Sequence, residues 1–144
     1  MNGWICVDAS VALKLVLIED HRDRAKALFS DSSRNGVRLI APIFFASEVD
    51  SVIRNHVARG LLSEDAGDAA FNTLRKLPVE LVSDPDQRTR AWQLAKQLDL
   101  PTVYDASYLA LAQIRGCDFW TADERLYTKV RSDLTFVKWI GAYA

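Results

Sequence analysis

Four acidic residues occupy positions in this sequence where a metal-ion site can be assembled. Asp8 directly follows the short apolar run Trp4–Val7, and Asp123 lies just beyond the end of a second such run. Glu48 and Asp105 fall near the beginnings of two helical patterns. Because open parallel sheets bind ligands at the carboxyl ends of their strands, these four carboxylates are candidates for one shared site.

The helical neighbours of two of these acids are mostly apolar. At helical spacing they are Phe44, Phe45, Ser51 and Val52 for Glu48, and Tyr108, Leu109 and Ala112 for Asp105. A carboxylate on such a face is costly unless it is paired, protonated or bound to metal. Two like charges about 4 Å apart cost about 4 kcal/mol at an effective dielectric constant of about 20, so converging carboxylates favour a divalent cation.

An all-oxygen ligand set indicates magnesium or manganese rather than zinc, which prefers histidine and cysteine ligands. Mg²⁺ held by a few carboxylates keeps several waters, and it can activate one of them for attack on a phosphate ester. Such a reaction requires carboxylates and water but no side-chain nucleophile. The four acids are therefore predicted to be both the metal-binding and the catalytic residues.

Each acid also has a purely structural interpretation. Asp8 could simply end a strand, and Glu48 could pair with Arg54 one or two turns along its helix. Asp105 and Asp123 could be helix N-caps, which is a common role of aspartate. The joint placement of all four acids at element boundaries favours the metal site over these separate explanations.

Short apolar runs alternate with longer helical patterns, which is typical of a doubly wound α/β domain. The runs predict strands at Trp4–Val7, Val37–Ala41, Val79–Val82, Asp118–Thr121 and Leu134–Val137. The first and fourth runs are almost unbroken rather than alternating, as expected of strands that are covered on both faces of a parallel sheet. We therefore predict a central parallel sheet of about five strands flanked by helices.

Capping and helix-breaking residues delimit the predicted helices. These run from Ser10 to about Ile18, from Pro42 to Ala58–Arg59 before Gly60, from Ser63 to before Pro78, from Asp84 to near Leu98–Leu100, and from about Tyr104 to Gly116. No internal repeat, low-complexity tract or linker interrupts this order. We expect one domain over residues 1–144.

Composition bounds the class of protein. The 144 residues are 49% hydrophobic, enough for one well-formed core. The formal net charge of −1 shows no excess of basic residues that would indicate nucleic-acid binding. A bound metal ion, however, adds local positive charge that the count of residues does not include. Cys6 and Cys117 are too few for a disulfide framework. With no signal-peptide pattern and no apolar run of about 20 residues, we expect a cytoplasmic protein without a membrane span.

Four local strings surround the acidic positions. They are Val7-Asp8-Ala9-Ser10-Val11, Ala46-Ser47-Glu48-Val49, Tyr104-Asp105-Ala106-Ser107-Tyr108-Leu109-Ala110-Leu111-Ala112 and Thr121-Ala122-Asp123-Glu124-Arg125-Leu126. In order and spacing these strings resemble the PIN-domain family over essentially the whole chain. The best match is its VapC-like branch, the toxins of bacterial and archaeal toxin–antitoxin pairs.

The resemblance implies a Mg²⁺- or Mn²⁺-dependent endoribonuclease that leaves a 5′-phosphate and a 3′-hydroxyl. Asp8 and Asp105 would be direct metal ligands, while Glu48 and Asp123 would bind metal directly or through water. Ser10 and Thr121 match the small hydroxyl positions beside the site and would orient carboxylates or water.

The resemblance also implies partners: an RNA substrate, a cognate antitoxin and a second copy of the chain in a homodimer. The predicted helix from Ser10 to Ile18 is apolar on nearly every face, and it either packs in the core or meets a partner. The resemblance favours an antitoxin or dimer surface at this helix.

Three other functions compete with the toxin ribonuclease. A haloacid-dehalogenase-type phosphatase also has an aspartate after its first strand, but it requires a second aspartate two residues later, where this chain has Ser10. A PIN-like nuclease could instead process structured RNA or cut single-stranded DNA. An inactive acidic binding module is the non-enzymatic alternative, and retention of all four acids argues against it.

Overall fold

The computed structural model, which describes residues 3–144, is built around a five-stranded parallel sheet. The strands are β1 (Trp4–Val7), β2 (Arg38–Pro42), β3 (Val79–Val82), β4 (Phe119–Thr121) and β5 (Val137–Trp139). Their order across the sheet is β3-β2-β1-β4-β5, and each neighbouring pair is parallel. The predicted α/β class with a central parallel sheet of five strands is confirmed.

Seven α-helices connect and cover these strands within residues 3–144. They are α1 (Ala9–Leu13), α2 (Arg22–Arg34), α3 (Phe45–Ala58), α4 (Glu64–Arg75), α5 (Gln87–Gln97), α6 (Tyr104–Arg115) and α7 (Glu124–Val130), and a 3-10 turn at Ile140–Ala142 follows β5. None of the helices in this described part of the chain combines the length and apolar character that a bilayer span requires.

The central strand β1 is covered on both faces of the sheet. Its successive side chains point to opposite faces, and they belong to two different hydrophobic clusters. Cys6 belongs to the larger cluster, which includes Leu109 of α6 and Phe45 of α3. Val7 belongs to the smaller cluster with Leu28 of α2. Burial on both faces explains why β1 reads as an unbroken apolar run in the sequence.

The strand order reverses between β1 and β4. From β1 the chain proceeds outward to β2 and β3 on one side, and it then returns to β4 and β5 on the other. Val7 at the end of β1 pairs with Trp120 in β4, and the backbone N–H of Asp8 donates to the carbonyl of Trp120 at 3.3 Å. A crevice therefore opens at the carboxyl ends of β1 and β4, where ligands bind in open α/β sheets.

The prediction that Pro42 opens a helix is wrong. Pro42 is the last residue of β2, paired with Val82 of β3, and α3 begins only at Phe45. The fixed φ of proline suits the end of a strand as well as a first helical turn, so local preference does not decide between them. One consequence is that Glu48 lies in the first turn of α3, nearer the strand ends than the sequence suggested.

The first predicted helix is also shorter than expected, and Ser10 does not cap it. Asp8 is the N-cap of α1, with its side chain accepting from the N–H of Val11, and the helix ends at Leu13. Beyond that point the N–H groups of Leu15 and Val16 bond three residues back, which tightens the chain into a turn.

The part of this apolar segment that folds as α1 is buried, so any partner surface on the segment lies beyond Leu13. Val11 and Ala12 are fully buried and Leu13 is nearly so. Ile18, which is 94% exposed, lies in the loop that follows the helix. The helix between Asp8 and the turn is therefore part of the core.

The fifth strand was predicted at Leu134–Val137 but runs from Val137 to Trp139. Its register pairs Val137 with Phe119 and Trp139 with Thr121. Leu134 is buried in the core from the preceding turn, so its apolar character reflects packing rather than strand pairing.

Candidate active site

Asp8 lies at the centre of a short hydrogen-bond network between the first and fourth strands. The hydroxyl of Ser10 donates to its Oδ1 at 2.5 Å, and the hydroxyl of Thr121 donates to its Oδ2 at 2.6 Å. Burial, and to a smaller extent the nearby charge of Asp105, raise the pKa of the Asp8 carboxyl to about 7, although hydrogen bonds from both hydroxyls favour the ionised form. Asp8 is thus a buried carboxylate held by neutral donors.

The two hydroxyls also tie the loops after β1 and β4 together. The Ser10 hydroxyl accepts from the backbone N–H of Ala122 at 2.9 Å, and the Thr121 hydroxyl accepts from that of Asp123 at 3.0 Å. Each hydroxyl therefore donates to Asp8 and accepts from the β4 loop. This arrangement fixes the relative positions of Asp8 and Asp123 at the crevice.

Asp123 is the N-cap of α7, and its Oδ1 accepts from the backbone N–H of Leu126 at 3.1 Å. The helix-cap interpretation is thus correct for Asp123 as a local description, and it applies to Asp8 as well. In Asp123 the cap occupies one carboxylate oxygen, and the residue is exposed. A capping role does not exclude a second role for the other oxygen.

Asp105 lies in the first turn of α6 but does not cap it, because the N-cap residue is Val103. The pKa of its carboxyl is raised, first by burial and then by the charges of Asp123 and Glu48. Since Asp105 also raises the pKa of Asp8, all four predicted acids interact through Asp105. The structure brings the four acids into one electrostatic cluster at the switch point.

Glu48 accepts a hydrogen bond of 2.6 Å at its Oε1 from the hydroxyl of Tyr108. Its suggested pairing with Arg54 is wrong, since Arg54 faces Glu64 of α4 at 3.5 Å. Burial and the charge of Glu48 raise the pKa of the Tyr108 phenol above its ordinary value, so its hydroxyl remains a donor. Sequence reasoning treated Tyr108 only as an apolar neighbour of Asp105.

The cluster fits a hard divalent cation by its donor chemistry. No group of three or more His, Cys, Asp or Glu side chains within residues 3–144 is set closely enough to hold a metal ion directly. Mg²⁺ does not require three direct protein ligands, because it is often bound through one or two carboxylates and keeps several waters. The donors are all oxygen, and their mutual repulsion at Asp105 is the kind that a cation relieves.

The fold and this cluster define a class of protein: an α/β domain with a carboxylate site at the switch point of a parallel sheet. A sequence model of the PIN domain family matches residues 5–131, which is most of the chain. The matched region begins within β1 and ends just after α7.

Proteins of similar sequence assign the chain to one branch of the PIN-domain family. The chain is 34% identical over 122 residues to ribonuclease VapC9 of Mycobacterium tuberculosis, covering 85% of this chain and 87% of the relative. It is 32% identical over 130 residues to ribonuclease VapC3 of Pyrobaculum aerophilum, covering 87% of this chain and 93% of the relative. The chain belongs to the VapC ribonucleases of the PIN-domain family, which confirms the resemblance seen in its motifs.

A solved structure agrees with this fold. The chain is similar to the crystal structure of Mycobacterium tuberculosis VapC20, a sarcin-ricin loop cleaving toxin, with a TM-score of 0.60 over 82% of this chain and 87% of that chain. At 18% sequence identity this likeness concerns the fold alone. Membership of the PIN-domain family excludes the haloacid-dehalogenase alternative.

Proposed function

We propose that this chain is a divalent-metal-dependent endoribonuclease and the toxin of a toxin–antitoxin pair. The observation that carries the proposal is the cluster of four carboxylates around Asp105, in a chain that belongs to the VapC ribonucleases. The nuclease domain is taken to span residues 1–144. The reaction is hydrolysis of an RNA phosphodiester by water, which leaves a 5′-phosphate and a 3′-hydroxyl.

In this proposal Asp8 and Asp105 hold Mg²⁺ or Mn²⁺ directly, and Glu48 and Asp123 hold it directly or through water. The bound ion supplies Lewis acidity, which lowers the pKa of water and offsets the charge of the phosphodiester. The chain's own residues set the geometry. The Ser10 and Thr121 hydroxyls orient both oxygens of Asp8, and Thr121 also holds the backbone at Asp123.

The proposed partners are an RNA substrate, a cognate antitoxin and a second copy of the chain, in the cytoplasm. An apolar surface at the carboxyl ends of the strands, near the site, supports the proposal of a homodimer. Ile43, Trp92 and Val103 are exposed there and line a groove of about 710 Å³ between the ends of β2 and β3 and helices α5 and α6. We refer to these three residues as the edge patch. Exposed apolar patches of this kind mark association surfaces.

The test is cleavage of a mixed RNA pool by purified, antitoxin-free protein with Mg²⁺, with Mn²⁺ and with EDTA. We expect cleavage with either metal and none with EDTA. Asp8→Asn and Asp105→Asn should each lower the rate by at least roughly 100-fold, because removal even of residues that only support metal ligands costs up to that much.

Asp118→Asn is the matched control, because Asp118 is an exposed acid at the opposite end of β4. It should cleave like the unmodified protein. Metal-dependent cleavage of single-stranded DNA but not of RNA would favour the DNA nuclease alternative. Folded protein that cleaves neither nucleic acid would favour the inactive acidic module.

A further inference from the structure

Tyr108 connects the two helices that each contribute one acid to the site. It lies in α6 one turn beyond Asp105, and its hydroxyl donates to Oε1 of Glu48 in α3 at 2.6 Å. The side chain is 1% exposed. A buried phenol requires a hydrogen-bond partner, and here that partner is a carboxylate of the site.

The ring of Tyr108 is fixed by aromatic neighbours, so the position of its hydroxyl is fixed as well. Phe44 packs edge-on against it with ring centroids 5.4 Å apart, and Phe119 of β4 lies 5.9 Å away in a tilted arrangement. The backbone carbonyl of Tyr108 also accepts from the thiol of Cys6 in β1. Tyr108 is therefore anchored to both the sheet and α3.

Within residues 3–144, the hydroxyl of Tyr108 is the only hydrogen-bond or ion-pair partner of the Glu48 side chain. The ion pairs within residues 3–144 do not include it, and its nearest basic candidate on the same helix, Arg54, pairs with Glu64. A glutamate side chain loses substantial rotamer entropy when it is ordered. A hydrogen bond to a charged carboxylate is stronger than one between neutral groups, and it offsets that loss.

We propose that Tyr108 is a positioning residue, whose hydroxyl holds Oε1 of Glu48 so that the carboxylate is preorganised beside Asp105 for the divalent ion. This inference rests on the proposed metal-dependent function. Tyr108 touches neither substrate nor ion in this role and acts only through Glu48. Loss of the hydroxyl should therefore weaken ion binding without unfolding the chain.

Tyr104 provides a matched control. It lies one turn before Tyr108 in the same helix, and its ring also packs edge-on against Phe44, with centroids 5.6 Å apart. Unlike Tyr108, Tyr104 is exposed, and its hydroxyl makes no hydrogen bond to an acid within residues 3–144. Tyr104→Phe and Tyr108→Phe thus each remove one phenol hydroxyl, from positions one turn apart in α6. Only Tyr108→Phe removes a hydrogen bond to an acid of the site.

The experiment measures Mn²⁺ binding to the full chain by the electron paramagnetic resonance signal of free Mn²⁺, without RNA. We expect Tyr108→Phe to weaken Mn²⁺ binding by roughly 10-fold, within the range for residues that orient metal ligands. Tyr104→Phe should bind like the unmodified protein. Urea unfolding in EDTA confirms that both variants are folded.

A double-mutant cycle assigns the effect to the Glu48 contact. In a Glu48→Gln background, Tyr108→Phe should weaken Mn²⁺ binding much less than in the unmodified chain, because coupled residues are not additive. Equal Mn²⁺ binding by Tyr108→Phe and Tyr104→Phe would overturn the positioning role while leaving the proposed function intact. Failure of the unmodified chain to bind Mn²⁺ would instead overturn the proposed function.

Discussion

The individual residues of the site balance an electrostatic cost against specific hydrogen bonds. Asp8 is 5% exposed, and the only side chains that donate to it are the hydroxyls of Ser10 and Thr121 within the described residues. Neutral donors stabilise an ionised carboxylate without cancelling its charge, so the burial cost remains visible in its raised pKa. A cation at the crevice would relieve that cost.

We expect Asp8→Asn to stabilise the metal-free protein at pH 8 but not at about pH 4. The pKa of Asp8 is raised from 3.8 to about 7 in the folded state, so folding favours its protonated form. The resulting stability is present in full below the ordinary pKa and is lost as pH rises through about 7. At about 1.36 kcal/mol per pH unit, the loss is on the order of 4 kcal/mol.

Urea unfolding in EDTA across this pH range, with the unmodified chain and Asp8→Asn side by side, measures the difference. Asparagine keeps the shape and the capping oxygen but carries no charge, so its stability should vary less with pH. A difference between the two proteins that is the same at pH 4 and pH 8 would contradict the buried-charge explanation.

Thr121→Val should destabilise the fold and impair cleavage, because valine keeps the shape of threonine and loses its hydroxyl. Without that hydroxyl, Oδ2 of Asp8 and the backbone N–H of Asp123 both lose a partner. An unsatisfied buried polar group costs about 1–3 kcal/mol. Thr121→Ser, which keeps the hydroxyl, is the control in urea unfolding and RNA cleavage. If serine impaired cleavage as much as valine, the hydroxyl would not be the responsible group.

The secondary-structure elements bring the acids together because four helices begin at the crevice. α1 and α7 begin directly after Asp8 and Asp123, and the first turns of α3 and α6 carry Glu48 and Asp105. The N-terminal end of a helix carries a partial positive charge, which favours nearby carboxylates. The elements thus supply both the positions of the acids and part of the compensation for their charge.

The end of α6 supplies a test at this scale. Gly116 ends the helix with φ of 63°, in the left-handed region where side chains are disfavoured. We expect Gly116→Ala to lower the free energy of unfolding by about 1–2 kcal/mol. Gly3→Ala serves as the control, since a Cβ there meets nothing within 4 Å and φ is not positive. Similar urea midpoints for the two variants would show that the backbone conformation at Gly116 is not limiting.

At the scale of the whole molecule, the strand order decides which loops meet. β1 and β4 are far apart in sequence but adjacent in the sheet, so the loops carrying Asp8 and Asp123 share one edge. The edge patch lies along the same edge, beyond the ends of β2 and β3. The molecule therefore presents its acidic site and its apolar surface side by side.

We expect Trp92→Glu to convert the proposed homodimer to a monomer, because Trp92 is 63% exposed and is the largest side chain of the edge patch. A charge buried in an apolar interface is unfavourable. Light scattering coupled to size-exclusion chromatography measures the mass of each protein. Ile18→Glu is the control, since Ile18 is exposed in a loop outside the patch. A dimer that survives Trp92→Glu would place the interface elsewhere.

Much of the fold could be predicted because local patterns and tertiary structure agree. The bounds of Trp4–Val7 and Val79–Val82 are confirmed, and so are the helix begun by its cap Ser63 and the helix ended by Gly116. Helix α2 was not predicted, and α7 was anticipated only through the interpretation of Asp123 as a helix N-cap. α2 is polar except for a narrow buried stripe that includes Ala25 and Leu28, so its periodicity is weak in the sequence.

The sequence by itself determined the family and predicted the four acids as one site, since both depend on residue types at set spacings along the chain. Only the tertiary structure decided the partner of Glu48, which is Tyr108 rather than Arg54, and the assignment of Pro42 to a strand. The physical reason is the same in both cases. A contact between α6 and α3, or between β2 and β3, depends on how distant segments pack, and local preferences are satisfied equally well by either outcome.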